Sequence, residues 1–299
     1  MTRAGFAALI GRPNVGKSTL LNRLTGEKLA IVSPKPQTTR NRIMGVVTVK
    51  EGQVALLDTP GIHQAKGELN RRMVEVALRA AAEVDLVCFL IEPAADGNPE
   101  VGPGNERILE ELKRLKKPVV LAINKIDEVK KPLLLPLIAL YQDRFPFAEV
   151  VPISARDGDG VNRLLKLLVA LLPEGEPMFD EDVLTDQAER ALVAEYVREQ
   201  VLRHCRQEVP YSSAVRVDIF EERERDRGLV KIECSILVER ESQKAIVIGK
   251  RGAMLKAIGT DARKPIERLL GTKVFLSLRV RVEENWTERP EALRRLGYE

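Results

Sequence analysis

Five short apolar runs alternate with amphipathic stretches through the first half of the chain, and few architectures accept that order. The runs are FAALI (6–10), VALLD (54–58), DLVCFLI (85–91), PVVLAIN (118–124) and EVVPIS (149–154). Near-continuous apolar strands belong to a parallel sheet covered on both faces, since a half-exposed strand would alternate. Helical patterns fall between them at 17–25, 69–82, 105–115 and 161–172. The βαβα alternation predicts a doubly wound α/β domain.

At 299 residues the chain is too long for one ordinary core. The Pro-, Gly- and acid-rich stretch PEGEPMFDEDVLTD (173–186) breaks the pattern and reads as a linker. We therefore expect a first domain over 1–175, a linker over 176–186, and a second domain with a C-terminal tail over 187–299. In the second, a helix at 187–206 precedes strands at 213–221 and 228–239 that flank a charged turn, 221–227. The segment AIVIGKRGAMLKAIG (245–259), a helix near 260–270 and a strand near 273–283 follow. The order α-β-β-α-α-β predicts an α+β domain.

Short motifs stand where the predicted strands end. GRPNVGKST (Gly11–Thr19) fits G-x-x-x-x-G-K-[ST] between a strand and a helix. The backbone N–H groups of Gly11, Asn14, Val15, Gly16 and Thr19 can curl around phosphate oxygens at a helix N-terminus. Lys17 can reach the outer phosphates and the Ser18 hydroxyl can ligate Mg²⁺. DTPG puts Asp58 at a strand end to hold the Mg²⁺ shell, with the Gly61 N–H placed to sense a γ-phosphate.

In NKID, the Asp127 carboxylate can accept from guanine N1–H and N2–H₂, a pair adenine lacks, while Asn124 and Lys125 brace loop and base. In SAR, Ser154 closes a strand and the Ala155 N–H can donate to guanine O6. Each motif is weak by itself, but their order at successive strand ends implies a GTP/GDP site with Mg²⁺.

Charge and cysteine usage narrow the remaining choices. Cys88, Cys205 and Cys234 are far apart and show no paired spacing, which excludes a disulfide scaffold and, with two histidines, a transition-metal site. That usage fits a reducing, cytosolic setting. No stretch has the length of a membrane span. Net charge is only +4, yet residues 240–281 carry 11 basic against 3 acidic residues, and 179–239 carry 9 against 15. Inside the basic block, GKRG (Gly249–Gly252) can bring backbone close to a sugar-phosphate chain. Lys250 and Arg251 would neutralise phosphate, with Ile246 and Ile248 against splayed bases. Lys244, Lys256, Arg263 and Lys264 can extend the track. A plain helix-joining turn remains the alternative for GKRG, and a solvated face for Arg279 and Arg281.

The first 175 residues resemble the TRAFAC-class, translation-factor-related GTPases. PQTTR (Pro36–Arg40) resembles the first switch of the Era and tRNA-modifying group, which implies Thr39 as a Mg²⁺ ligand when GTP is bound. Ile62 follows DTPG where Ras-like enzymes place a water-orienting glutamine, so the chain resembles the hydrophobic-substituted, slow GTPases. Some of these hold K⁺ through an asparagine at the position of Asn14. Here Asn14 as a K⁺ ligand and Asn14 as a brace of the loop both stay open.

The second domain resembles a type II KH domain. With VPYSSAVRV, LVERESQKAIVIGKRGAMLKAIG and EALRRLGYE in place, nearly the whole chain is similar to the Era family. The resemblance implies catalytic roles for Lys17, Thr39, Gly61 and Asn14, and RNA contacts by Ile248, Gly249, Lys250, Arg251, Gly252 and Lys256. It further implies binding to 16S ribosomal RNA near its 3′ end and a role in 30S subunit assembly, with no DNA partner. A monomer in the cytoplasm is implied, with peripheral contact at the cytoplasmic face of the inner membrane. On residues alone, a membrane-recruited switch whose second domain binds protein or lipid stays open.

Overall fold

The computed structural model describes residues 2–94, 99–222, 225 and 228–298, so most of the charged turn expected at 221–227 lies outside the described residues. Two compact units result. One comprises Met1–Ala30, Thr39–Lys66 and Asn70–Asp186, and the other Ile31–Thr38, Gly67–Leu69 and Gln187–Glu299.

The first unit is a six-stranded sheet, ordered β2-β3-β1-β4-β5-β6. Its strands are β1 (Arg3–Gly11), β2 (Ile43–Val49), β3 (Gly52–Asp58), β4 (Leu86–Ile91), β5 (Val119–Ile123) and β6 (Glu149–Pro152). β2 runs antiparallel to β3 and every other pair is parallel. Period-two alternation along β1 sends Ala8 and Ile10 to one face and Ala7 and Leu9 to the other, each into a separate apolar cluster. The first cluster takes in α2 (Glu68–Glu83), α3 (Pro103–Leu115) and α4 (Leu134–Gln142). The second takes in α1 (Lys17–Thr25) and α5 (Val161–Leu171). Helices on both faces explain why the strands read as unbroken apolar runs.

Two elements of this unit are absent from the sequence reading. β2 is a β-branched run, IMGVVTV, that pairs with β3 from Ile43↔Asp58 to Val49↔Gly52. α4, LLPLIALYQ, is apolar on all sides and carries Pro136 in its first turn, so it shows no helical period. The stretch read as a linker runs along the sheet edge. Val46 N–H donates to Leu184 O (2.8 Å), Thr185 Oγ1 to Met44 O (2.6 Å), and Gln53 Oε1 accepts from Met178 and Phe179 N–H (2.8 and 2.9 Å).

The second unit has α6 (Glu189–His204), β7 (Ala214–Glu221), β8 (Leu229–Val238), α7 (Glu241–Ile248), α8 (Ala253–Leu270) and β9 (Lys273–Val282), then a short α9 (Pro290–Arg295). This is the expected α-β-β-α-α-β order. β7–β8 pair antiparallel and β8–β9 parallel. Val197 and Val201 of α6, with Ile258, Ala262 and Ile266 of α8, pack on Val230, Ile232 and Cys234. α8 begins seven residues before the expected 260, because Gly259 interrupts the pattern without breaking the helix. All three cysteines are free and buried.

Candidate nucleotide site and nucleic-acid loop

Parallel pairing brings the carboxyl ends of the strands to one edge of the sheet, where the chain leaves β1, β3, β5 and β6 into the four motifs. The phosphate loop closes on Gly16, which has φ 98° and serves as N-cap of α1. A Cβ there would collide with the Asn124 side-chain amide, so only glycine lets the two loops meet. Asn124 is buried and bridges three loops: its Nδ2 donates to Val15 O (2.7 Å), and its Oδ1 accepts from Ala155 N–H (2.8 Å). The Ala155 N–H is engaged with Asn124 here, because a buried amide must satisfy both of its ends.

Lys17 is buried, donating to Gly11 O (3.2 Å) and Arg12 O (2.9 Å). Burial lowers its pKa to about 8, against the attraction of Asp58. Asp58 is fully buried, and burial raises its carboxyl to about 6 despite Lys17 and hydrogen bonds from Ser18 and Thr39. Ser18 Oγ lies 2.6 Å from Asp58 Oδ2 and 2.8 Å from Thr39 Oγ1, and Thr39 Oγ1 lies 3.3 Å from the same carboxylate oxygen. Three oxygens from the phosphate loop, the 31–44 segment and the end of β3 thus converge.

Asp58 Oδ1 is buried and has no hydrogen-bond partner. An acceptor-only atom without a donor fits a hard cation or its water, and one carboxylate with two hydroxyls is the oxygen-only donor set Mg²⁺ prefers. Among the described residues no group of three His, Cys, Asp or Glu could hold a metal.

The raised Asp58 pKa has a stability consequence. The folded chain holds a proton there from about pH 4 to about pH 6 that the unfolded chain has released, so stability falls as pH rises through that window. In metal-free protein the stability difference between the unmodified chain and Asp58→Asn should therefore fall by about 3 kcal/mol at most between pH 4 and pH 7. Urea titrations of both at each pH would show it; a flat difference would mean Asp58 is not desolvated.

Gly61 packs against the phosphate loop, where a Cβ would meet Pro13 N at 2.4 Å, and the next residue, Ile62, donates its N–H to Gly11 O (3.0 Å). The Ile62 side chain is buried in the core, consistent with its inability to orient water. Lys125, at φ 62°, pairs with Glu92. The Ser154 hydroxyl, with Arg156 nearby, holds the Asp127 carboxyl below the usual range. Arg156 pairs with Asp127 at 2.6 Å. Its side chain is exposed, so guanine could displace it for about 1 kcal/mol or less. This pairing was not foreseen, although arginine in SAR beside an acidic base-binding loop was the available signal.

In the second unit, GKRG joins α7 to α8. Gly249, Arg251 and Gly252 have φ of 71°, 52° and 77°, and Gly252 caps α8. Lys250, Arg251 and Lys256 are exposed, as is Ile246, while Ile248 is half-buried. Arg279 pairs with Glu233 at 3.3 Å and Arg216 with Asp218 at 2.8 Å on the sheet. The exposed basic residues Lys250, Arg251 and Lys256 lie on the loop and α8.

Comparison with known proteins follows the same division. Residues 6–125 match a family described as 50S ribosome-binding GTPase, and residues 208–287 match the KH domain family. The GTPase Era of Geobacter metallireducens is 55% identical over 296 residues, 99% of this chain and 98% of the relative. That of Ruminiclostridium cellulolyticum is 48% identical, covering 99% and 97%. A solved structure of Era in complex with MgGDPNP and nucleotides 1506–1542 of 16S ribosomal RNA is 42% identical, with a TM-score of 0.94 over 100% of this chain and 99% of that one. A single-substitution variant of Aquifex aeolicus Era bound to GDP·AlF4⁻ matches with the same identity and score over 99% of each chain. Identity of this extent along the full length of both chains shows that the chain belongs to the Era family and is a GTPase.

Proposed function

We propose that this GTPase is a switch that binds 16S ribosomal RNA near its 3′ end and assists assembly of the 30S subunit. One observation carries the reading: the whole chain superposes on a relative solved with a 16S RNA segment, and its exposed, basic GKRG loop stands within a KH domain. The nucleotide-binding part is taken as 1–175 and the RNA-binding part as 187–299, acting as a monomer.

Asp127 would select guanine, with Asn124, Lys125, Ser154 and Ala155 holding its loop. The backbone of Gly11 and Asn14 to Thr19 would cradle the phosphates, with Lys17 on the outer ones. Ser18, Thr39 and Asp58 would hold Mg²⁺, which when bound neutralises phosphate charge. The Gly61 N–H would sense the γ-phosphate. With Ile62 in the core, no side chain at that position orients the attacking water, and slow intrinsic turnover follows.

Asn14, held at φ 66°, would bind K⁺ and supplement this charge neutralisation. Turnover is then expected to be faster in K⁺ than in Na⁺ at equal ionic strength. Equal rates would leave Asn14 as a brace of the loop.

GTP would favour RNA binding, and RNA would tighten GTP by the same factor, since coupling is reciprocal. The test is equilibrium binding of a short single-stranded RNA matching the 3′ end of 16S RNA, with a non-hydrolysable GTP analogue or GDP. Lys250→Ala/Arg251→Ala should weaken binding about a hundredfold and lower the slope of log K against log salt by about 1 to 2. Binding indifferent to nucleotide and to both substitutions would reduce the second domain to a generic basic surface.

Cytoplasmic residence goes with a ribosomal partner. No helix among the described residues is long and apolar enough to cross a membrane. Peripheral contact with the inner membrane is supported by exposed Leu133 and Leu135 beside Lys130 and Lys131.

A further inference from the structure

Gly61 has to be glycine, because a Cβ there would meet Pro13 N at 2.4 Å. The missing side chain also leaves its backbone freer than that of any other residue. An N–H that must meet one phosphate oxygen therefore has to be held by its neighbours. On the near side, Thr59 is fully buried and its Oγ1 donates to Leu9 O (2.8 Å), and the ring of Pro60 fixes its own φ. On the far side, the peptide between Gly61 and Ile62 is held at both ends. Ile62 N–H donates to Gly11 O (3.0 Å), and Gly61 O accepts from His63 Nδ1 (2.8 Å).

His63 is half-buried and stands in the irregular stretch between β3 and α2. A carbonyl can only accept, so Nδ1 carries a hydrogen toward Gly61. Nε2 faces Asn70 Oδ1 at 3.2 Å in the first turn of α2. The orientation of Asn70 is itself set, since its Nδ2 donates to Lys66 O (2.5 Å). A second ring hydrogen, present when the imidazole is protonated, turns the Asn70 contact into a donation as well. The ring thus ties the end of DTPG to α2. Gly61 is buried, so an apolar residue at 63 would leave its carbonyl short of a partner. Gly61, His63, Lys66, Asn70 and the phosphate loop all belong to the same compact unit.

We propose that His63 is a positioning residue for the γ-phosphate: by holding the Gly61 carbonyl it fixes the backbone at Gly61 and aims the Gly61 N–H, with Asn70 steadying the ring. This rests on the reading of that N–H as the γ-phosphate sensor. A trans peptide is planar, so the bonds from His63 and to Gly11 O fix one plane between them. With Ile62 in the core, His63 is the first polar side chain after DTPG.

The test uses the full-length chain and compares affinity for a non-hydrolysable GTP analogue with affinity for GDP. GDP lacks the γ-phosphate and is the internal control, so the ratio of the two responds to Gly61 and not to general destabilisation. His63→Ala is expected to lower the ratio about tenfold, as the loss of one hydrogen bond allows, with GDP affinity unchanged. His63→Asn places an amide N–H where Nδ1 stood and forfeits only the Asn70 contact, so its ratio should fall about threefold. Asn70→Ala, which spares the bond to Gly61, should match it.

Should His63→Ala fail to bind GDP, Asn70→Ala and His63→Asn decide. An unchanged ratio in each variant that binds GDP would overturn the proposal, as would His63→Asn faring no better than His63→Ala. Gly61→Ala separates the two layers. If it lowers the ratio while the His63 variants do not, only the positioning role fails. If it too leaves the ratio unchanged, the γ-phosphate reading fails and takes the proposal with it.

Discussion

Replacing Lys17 by alanine is expected to lower kcat/KM for GTP about a thousandfold, the loss that follows from removing one preorganised donor at a site of developing charge. The ammonium is buried at the base of the phosphate loop, held by two backbone carbonyls and facing Asp58. Its pKa of about 8 without nucleotide shows how strongly burial opposes the charge. Phosphate oxygens would restore it, so binding takes up a proton at alkaline pH. GTP affinity should therefore begin to fall above about pH 8, and Lys17→Ala should abolish that dependence. Lys17→Arg should not rescue activity, because a planar fork does not fit a site shaped around a point charge. Single-turnover hydrolysis with nucleotide-binding titrations at pH 7 to 9 would check both parts. A loss below about tenfold would mean that the backbone cradle and cation carry the phosphates without Lys17.

Asp127→Asn is expected to weaken GTP binding by about a thousandfold or more and to confer binding of xanthosine triphosphate. Guanine offers two adjacent donors to a carboxylate, and an asparagine opposes one of them with its own donor. Xanthine presents a donor beside a carbonyl, which matches the amide. The carboxylate is held ready by Ser154 and Arg156, which keep it ionised well below neutral pH. Competition of both triphosphates against labelled GDP would read the switch. Unchanged preference for GTP would show that another group reads the base.

The parts of the fold legible in the sequence share one property: their signal is local. β1, β3, β4 and β5 are runs of apolar residues because both faces are covered, and the phosphate loop is contiguous because one turn must supply several N–H groups. β2 escaped notice because its seven residues lie between a polar loop and a tight connection to β3, with only β-branching to mark them. α4 escaped because a helix apolar on every side has no period. The nucleotide motifs could be ordered along the chain, but not the way Asn124 joins the phosphate loop to the Ala155 loop, a contact between residues 109 and 31 apart. Arg156 on Asp127 is likewise a contact made by folding, invisible to spacing.

The strip 178–185 along β2 and β3 bears on how this protein can be dissected. An outermost strand presents a row of unpaired amides, a template for joining another chain edge to edge. Here Leu184 accepts from Val46, Thr185 from its hydroxyl reaches Met44, and Gln53 receives Met178 and Phe179. A fragment cut where the last nucleotide-domain helix ends would strip this cover and leave β2 open to self-association. The stretch that looks most dispensable in the sequence acts as a selvedge for β2 and β3.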